Sequence, residues 1–210
     1  MKRCLYCNNQ TEENNKICEN CKNKITSVLS TRHITKIVHF TPLENLPYIG
    51  VYGLRSRDWL EQNRIPVRIS DNDRYDHHTD CLSCSIEHPN YRMRYKIVCN
   101  SDVRHAVLEI DPKILLDEKC FCSFTNAARE SGSLIMDITH LNTLLLGERE
   151  FGLEEKYPTD TQAEILIFNH IDLQYIKYVV FENKLDFDEY QSKIPATIKV
   201  RVDGKLFRRR

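Results

Sequence analysis

Short apolar runs separated by polar turns occupy much of the chain after residue 80. They are shorter than typical helices, so they predict buried strands. These runs are CLSCSI (81–86), HAVLEID (105–111), EILIF (164–168) and YIKYVVFEN (175–183). YRMRYKIV (91–98) alternates Arg and Lys with Tyr and Met, which predicts a further, two-faced strand.

Helical signals are fewer and lie nearer the start of the chain. Residues 22–37 have helical composition, and residues 37–40 predict a short strand. Thr41 followed by Pro42 then predicts a helix start, with Thr41 as the N-cap and Gly53 as the residue that ends the helix.

The remaining patterns predict connections. Polar residues 65–80 predict a loop or pocket wall, and Val-Asp-Gly-Lys at 202–205 predicts a hairpin turn. Because strands are many and helices are few and irregularly spaced, the sequence favours an α+β fold with a largely antiparallel sheet.

Two Cys-x2-Cys pairs mark a small N-terminal module. Cys4 and Cys7 are followed, after ten residues, by Cys18 and Cys21, a spacing that suits a structural Zn²⁺ ion with four thiolate ligands. The residues between the pairs are too polar to form a core, so the metal would supply folding free energy. A ferredoxin-like iron site is the alternative. We therefore predict a zinc module over residues 1–30 and a main domain over residues 31–210.

The other cysteines show no comparable pattern. Cys81-x2-Cys84 follows His77 and His78, but it lies in a predicted strand, so we expect core thiols and no second metal site. The same is expected of Cys99, Cys120 and Cys122. An odd total of nine cysteines favours a reducing compartment over a disulfide framework.

No segment reaches the roughly 20 apolar residues of a membrane span. The first residues, MKRCLYC, lack the apolar stretch of a signal peptide, so we expect a cytoplasmic protein. The formal net charge of zero conceals an asymmetry: +4 on residues 1–36, +5 on residues 199–210 and −9 between them. Basic ends are typical of polyanion binding, although they serve solubility equally well.

Four polar residues are candidates for chemistry. His39 and Thr41 alternate at a strand end and so project from one face, Arg74 lies among carboxylates, and Glu164 joins a polar turn to an apolar strand. Each also has a structural explanation: a core histidine, a helix cap, an ion-pair partner and a solvent-directed charge. Periodicity alone does not show that they converge.

Five segments of the chain are distinctive in combination: VHFTPLENLPYIGVYGLRSR, ISDNDRYD, SIEHPNYRMRYK, FTNAARESG and YPTDTQAEILIF. They occur in the order seen in the DarT family of DNA ADP-ribosyltransferase toxins, which the chain resembles over about residues 35–183. The likeness is greatest to the guanine-modifying branch. It implies two packed, mainly antiparallel sheets with a cleft for NAD⁺, and transfer of ADP-ribose from NAD⁺ to a base of single-stranded DNA with release of nicotinamide.

The resemblance also implies site residues and a partner. Positions that match NAD⁺-contacting residues of the family are His39, Phe40, Thr41, Tyr48, Ser56 and Arg74. Arg74 and Glu164 match the family's catalytic arginine and glutamate. The implied partner is an antitoxin that removes ADP-ribose from DNA.

The implied reaction suits these residue types. Cleavage of the glycosidic bond of NAD⁺ builds positive oxocarbenium character on the ribose, and the Glu164 carboxylate would place negative charge beside it. Because arginine stays protonated, we do not expect Arg74 to accept a proton. We expect it to bind the NAD⁺ phosphates or to orient the acceptor nucleobase.

Nucleic-acid contacts are predicted from basic residues. Arg92, Arg94 and Lys96, with the basic segment 199–210 and the zinc module, predict a groove for the phosphate backbone, beside tyrosines that stack bases. Two alternatives stay open. One is a zinc-containing nucleic-acid adaptor that senses NAD⁺ without catalysis, and the other is the same transferase acting on RNA or protein.

Overall fold

The computed structural model describes residues 2–12, 15–69, 78–128 and 135–210. The helices are α1 (Glu19–Thr31), α2 (Leu46–Tyr52), α3 (Arg57–Gln62), α4 (Tyr91–Asn100), α5 (Ile114–Asp117) and α6 (Lys184–Tyr190). Short 3₁₀ helices are Leu43–Asn45, Ile138–Leu145, Leu173–Tyr175, Gln191–Lys193 and Gly204–Phe207. None of the helices in these ranges is long and apolar enough to cross a membrane.

The strands are numbered in chain order. They are β1 (Lys2–Arg3), β2 (Gln10–Thr11), β3 (Ile37–Pro42), β4 (Leu54–Arg55), β5 (Cys81–Ile86), β6 (His105–Ile110), β7 (Cys120–Ser123), β8 (Ile135–Asp137), β9 (Glu164–Phe168), β10 (His170–Ile171), β11 (Ile176–Phe181) and β12 (Lys199–Val202). Strands β1 and β2 form a hairpin at the N-terminus, and β4 pairs with β10.

The remaining eight strands form one sheet, in the spatial order β12-β11-β6-β3-β5-β9-β7-β8. Neighbours run antiparallel except β11 and β12, which are parallel. The order nearly divides in the middle, because β3 and β5 pair only at Ile37 with Ile86 and at Val38 with Ser85. The four strands on each side of this junction correspond to the two sheets of the predicted fold, so the α+β class is confirmed.

Strand β6 lies at the centre of the first half and is buried along its whole length. Its residues alternate between two apolar clusters: Leu108 faces the main core, and Val107 faces a smaller cluster on the other side. Glu109, also buried, is neutralised by Lys36 at 2.5 Å and Arg201 at 2.7 Å. A strand covered on both faces has a nearly continuous apolar sequence, as HAVLEI does.

The prediction of a strand at YRMRYKIV is wrong, because these residues begin helix α4. Asn90 caps the helix by accepting the main-chain N–H of Met93 at 3.1 Å. Met93 and Ile97, one helical turn apart, face the cleft described below, whereas Arg92 and Tyr95 are exposed. The alternation of basic residues obscured this helical spacing.

Three smaller predictions also fail. Thr41 does not cap a helix, because β3 continues through Thr41 and Pro42, which pair with β6, and α2 starts only at Leu46. Residues 202–205 form no hairpin: Asp203 caps the 3₁₀ helix Gly204–Phe207 by accepting the N–H of Lys205 at 3.1 Å. Cys99 lies on the exposed side of α4, whereas Cys81, Cys84, Cys120 and Cys122 are buried as predicted.

The cysteine-rich N-terminal segment packs directly on the sheet. The Tyr6 hydroxyl donates to the main-chain oxygen of Glu118 at 3.0 Å and accepts from the N–H of Cys120 at 2.9 Å. Lys16 pairs with the Glu118 carboxylate at 2.8 Å. Ile25 of α1 is fully buried in the main core, so the segment is fixed to the body of the protein.

Candidate active site: a cleft between β3 and β5

The cleft opens where β3 and β5 stop pairing. Beyond Val38 and Ser85 the strands diverge, and the Nδ1 atom of His39 bridges the gap to the main-chain oxygen of Ser83 at 2.8 Å. Because a carbonyl oxygen only accepts, this contact places a proton on Nδ1. The histidine therefore has a defined orientation.

The β3 wall of the cleft is supported from behind. Phe40 packs on the smaller core cluster with Leu206 and Phe207, and its ring meets His105 edge-on with centroids 5.7 Å apart. Thr41 is buried on the same strand. His39, Phe40 and Thr41 all line the cleft, so the structure brings these three predicted residues together.

Asn45 holds the outer wall of the cleft. Its side-chain amide donates to the main-chain oxygen of Arg68 at 2.8 Å, and its side-chain oxygen accepts the N–H of Arg68 at 2.8 Å. This two-bond contact resembles one rung of a β-ladder and keeps residues 67–69 along the cleft. Residues 70–77 follow, so the predicted catalytic Arg74 lies outside the described residues.

Glu164 lies inside the cleft, at the first position of β9. It is buried, with 5% of its surface exposed. Its Oε2 accepts the main-chain N–H of Ala127 at 3.1 Å, and its Oε1 accepts the side-chain amide of Asn126 at 3.3 Å. Donors on both oxygens stabilise a buried carboxylate and fix its orientation. The charge at this strand end is therefore held within the cleft and not directed to solvent.

Cys84 is a buried thiol close to this carboxylate. Burial, with a smaller contribution from the charge of Glu164, raises the pKa of Cys84 far above its usual range. The thiol is therefore protonated near neutral pH and is a poor nucleophile. Glu164, and not the neighbouring cysteine, is the group on this wall that suits acid–base or electrostatic chemistry.

Asn90 contributes an unsatisfied donor to the cleft. The residue is 2% exposed, and its side-chain oxygen is used as the cap of α4. Its side-chain nitrogen has no hydrogen-bond partner among the described residues. Buried donors are rarely left without a partner, so this amide is suited to a ligand acceptor in the cleft.

Tyr48 and Ser56 lie behind the cleft wall. Tyr48 borders a smaller pocket that shares Thr41 and Leu54 with the main cleft. Ser56 is buried and caps α3 by accepting the N–H of Trp59 at 3.4 Å. Neither side chain is among those that line the main cleft.

Three asparagines of the site were not identified from the sequence. Asn45, Asn90 and Asn126 all lie within the segments that carry the family resemblance: Asn45 falls inside the predicted helix, Asn90 precedes a predicted strand, and Asn126 lies where no element is predicted. Asparagine is common at turns for local reasons, so its position gave no sign of the long-range contacts to Arg68 and Glu164.

The four cysteines of the N-terminal pairs converge. The Sγ atoms of Cys4, Cys7, Cys18 and Cys21 all lie within 4.8 Å of one another. The first pair sits on the turn between β1 and β2, and the second pair starts α1, with Cys18 as its N-cap. Burial acts to raise the pKa of Cys4, but nearby main-chain N–H groups outweigh it and lower the pKa to about 6. The pKa values of Cys7 and Cys21 are raised, that of Cys21 mainly by burial, so it is the geometry of the four thiols that suits a metal site.

Comparison with known proteins identifies the chain. The sequence matches the family described as "ssDNA thymidine ADP-ribosyltransferase, DarT" over residues 38–208. The chain belongs to the DarT family. It is accordingly an ADP-ribosyltransferase, and the resemblance carried by the five sequence segments is confirmed. A comparison with curated protein sequences gave no match.

Solved DarT structures share the fold at low sequence identity. Thermus sp. 2.9 DarT in complex with NAD⁺ has a TM-score of 0.60 and 14% identity, over 83% of this chain and 98% of that chain. The same protein in complex with ADP-ribosylated ssDNA has a TM-score of 0.58 and 11% identity, over 84% and 97%. Thermosipho africanus DarTG in complex with ADP-ribose has a TM-score of 0.61 and 16% identity, over 82% of this chain and 51% of that chain.

The matches do not span the whole of every protein compared. This chain spans about half the length of the Thermosipho africanus protein. The DarT family match begins at residue 38, so the converging cysteines lie outside it.

Replacing Asn126 with Ala removes the donor to Oε1 of Glu164. We expect kcat for ADP-ribosyl transfer to fall about tenfold or more, because a hydrogen bond to a charged group contributes roughly 1.5–3 kcal/mol. Initial rates over a range of NAD⁺ concentrations measure this. Asn142→Ala is the matched control, since Asn142 accepts from Arg32 at 3.4 Å and does not line the cleft. Equal rates for Asn126→Ala and wild type would contradict the role of this contact.

Proposed function

We propose that this chain transfers ADP-ribose from NAD⁺ to a base of single-stranded DNA within the cleft between β3 and β5, and releases nicotinamide. The observation that carries the proposal is the buried carboxylate of Glu164, hydrogen-bonded through both oxygens and facing the cleft. Membership of the DarT family supports the reaction class, and relatives in complex with NAD⁺ and with ADP-ribosylated ssDNA support the substrates.

Glu164 acts at the ribose of NAD⁺. The bond from ribose C1′ to the nicotinamide nitrogen breaks, its electron pair leaves with nicotinamide, and positive charge develops on the ribose. A carboxylate that is already oriented stabilises this charge without reorganising. The base then bonds to C1′ and loses a proton, which Glu164 or solvent accepts.

NAD⁺ lies against His39, Phe40 and Thr41 in this proposal. The diverging edges of β3 and β5 offer main-chain donors and acceptors to the ligand, and the side-chain amide of Asn90 donates to one of its oxygens. Tyr48 and Ser56 contribute indirectly, by packing and capping behind the wall. The sequence predicts direct contacts of Tyr48 and Ser56 with NAD⁺, and we propose this indirect role in their place.

Arg74 completes the proposed catalytic set. The Asn45–Arg68 contact directs the chain that precedes it along the cleft wall. We propose that Arg74 binds the NAD⁺ phosphates or orients the acceptor nucleobase. A guanidinium remains charged and binds oxyanions through its planar, forked arrangement of N–H donors. Lysine in its place would retain the charge and lose the fork.

The acceptor base and the biological setting complete the proposal. The resemblance to the guanine-modifying branch favours guanine, and the family description names thymidine as the alternative. We further propose a cytoplasmic toxin whose antitoxin partner removes ADP-ribose from DNA, as the resemblance to the toxin family implies.

Zinc is proposed as the ion held by Cys4, Cys7, Cys18 and Cys21. Among the described residues the cluster contains four thiols and neither a carboxylate nor an imidazole, which favours a closed structural Zn²⁺ site, with iron as the alternative. The start of the DarT match at residue 38 supports a boundary between a zinc module, residues 1–30, and a transferase domain, residues 31–210. The ion would fix the Tyr6 loop that contacts Glu118 and Cys120.

Mass spectrometry of single-stranded oligonucleotides tests the reaction. Oligo-dA carrying a single dG, dT or dC is incubated with NAD⁺ and the protein. We expect an ADP-ribose adduct on the dG oligonucleotide, and its rate of formation should fall about 10²-fold or more in Glu164→Gln, because the developing charge loses its partner. Glu155→Gln, a surface carboxylate 3.4 Å from Arg32, should keep the wild-type rate.

The same assay with RNA and protein as acceptors, and with the Arg74→Lys variant, tests the alternatives. An adduct confined to the dT oligonucleotide would show that the acceptor is thymidine and not guanine. Adducts on RNA or protein alone would overturn the DNA acceptor, and bound NAD⁺ without any adduct would favour the non-catalytic adaptor. Near-normal turnover by Arg74→Lys would overturn the role given to Arg74.

Elemental analysis tests the metal. We expect one zinc ion per chain in the wild-type protein, and loss of most of it with a lower Tm in Cys4→Ser, because a structural site contributes directly to folding free energy. Cys99→Ser is the control, since Cys99 is an exposed thiol on α4. Iron in place of zinc, or equal zinc content in both variants, would contradict the assignment.

A further inference from the structure

The arginines around α4 divide into two groups. Arg94 is held by three contacts: Nη1 donates to the main-chain oxygen of Phe207 at 2.7 Å, Nη2 pairs with Glu182 at 2.6 Å, and the guanidinium lies 4.8 Å from the centre of the Phe207 ring. Arg92, Arg208 and Arg209 are exposed, and within the described ranges none of them forms an ion pair, although Arg92 is hydrogen-bonded to the side chain of Tyr91. The first group stabilises the fold, and the second is available to a ligand.

Two contacts fix the basic segment 208–210. Arg94 holds the main chain at Phe207, and Nη2 of Arg210 donates to the main-chain oxygen of Pro158 at 2.7 Å. The guanidinium of Arg210 also lies 5.3 Å from the ring centre of Tyr157. Arg208 and Arg209 are therefore exposed on a segment held at both ends.

These contacts place the segment beside the cleft. Helix α4 forms part of the cleft wall through Met93 and Ile97, and the turn that starts at Tyr157 leads to Glu164. The segment is anchored to α4 at Phe207 and to that turn at Pro158, so Arg208 and Arg209 lie between these two anchors.

Exposed arginines are common and often only solvated. Several other basic residues of this protein are nevertheless neutralised: Lys36 and Arg201 share Glu109, and Arg104 binds two carboxylates of α6. On α4, Tyr95 is 70% exposed and lies one turn from Arg92. Cations beside an exposed aromatic ring are the combination that binds single-stranded nucleic acid, through phosphates and stacked bases.

We propose that Arg92, Arg208 and Arg209 bind consecutive phosphates of the single-stranded DNA substrate, that Tyr95 stacks a base, and that Arg94 only holds this track in place. The inference rests on the proposed function and deepens it. Phosphate contacts position a strand without reading its sequence. The track therefore delivers the strand to the cleft, and the cleft selects the base.

Salt-dependent binding tests the track. Fluorescence anisotropy measures the affinity for a labelled single strand of about 12 nucleotides, without NAD⁺, over a series of salt concentrations. We expect the slope of log K against log salt to shrink by roughly 0.7 in Arg92→Gln and roughly 1.4 in Arg208→Gln/Arg209→Gln, about 0.7 for each phosphate contact. The change should be equal for dG and dT strands, since phosphates carry no base information.

The control removes two charges elsewhere. Lys113→Gln/Lys193→Gln replaces two exposed cations that do not line the cleft and that form no ion pair within the described ranges, and it should leave the slope unchanged. Equal effects of the control and the Arg208/Arg209 variant would overturn the track, because net charge alone would then explain binding.

Arg94→Lys tests the anchor at constant net charge. Lysine cannot retain both the Phe207 carbonyl and Glu182 contacts with the same geometry, so DNA affinity should fall although no charge is lost. Thermal unfolding separates this effect from a folding defect. Wild-type slopes in Arg92→Gln and Arg208→Gln/Arg209→Gln would overturn the proposal whatever Arg94→Lys does.

The inference and the proposed function fail in different ways. Titration with NAD⁺ should give wild-type affinity in all the track variants. The salt slopes of the variants could change as expected while the wild-type protein forms no DNA adduct. That result would support the track and reject the transfer reaction.

Discussion

The short ladder between β3 and β5 is the constraint on which the site depends. Two paired positions, Ile37–Ile86 and Val38–Ser85, join the halves of the sheet, and the strands then separate. His39 replaces the next ladder contact with a side-chain bond to Ser83. This arrangement gives up backbone hydrogen bonds at the centre of a sheet, where strands otherwise pair along their length. In return, two strand edges and a histidine of fixed orientation face one cleft.

Asparagine side chains hold the parts of the cleft that the sheet does not. Asn45 fixes the outer wall through both main-chain groups of Arg68, Asn90 caps the helix that forms another wall, and Asn126 orients Glu164. An amide both donates and accepts without carrying charge, so it can position a buried carboxylate without neutralising it as lysine or arginine would. Glu164 is thereby held in a fixed orientation within the cleft.

Local patterns predicted the elements whose burial is uniform. HAVLEI and EILI predict strands because they are almost continuously apolar, and in the structure both strands are covered on both faces. Gly53 ends α2, where its φ of 73° suits glycine. The sequence does not predict helix α4, because basic residues alternate along it and obscure the helical spacing of Met93 and Ile97, which face the cleft. Thr41 was misread as a cap because pairing with β6 overrides a local signal.

The site was only partly predictable for a related reason. Glu164 is identified as a carboxylate at a turn–strand junction and His39 and Thr41 as alternating polar residues at a strand end, and the family resemblance supplies their roles. The donors to Glu164 come from a loop almost forty positions away in the sequence, and Arg94 meets Phe207 across 113 positions. Periodicity and spacing report neighbours along one element, so they contain no information on such contacts.

The central claim is that NAD⁺ binds between the diverging edges of β3 and β5. Hydrogen–deuterium exchange with and without saturating NAD⁺ tests it most directly, because it reports main-chain amides along each strand. We expect slower exchange in peptides that cover residues 38–42 and 81–85, and no change around the separate cavity lined by Leu173, Lys177 and Lys199. Protection confined to that second cavity, or unchanged exchange at both strands with NAD⁺ bound, would contradict the claim.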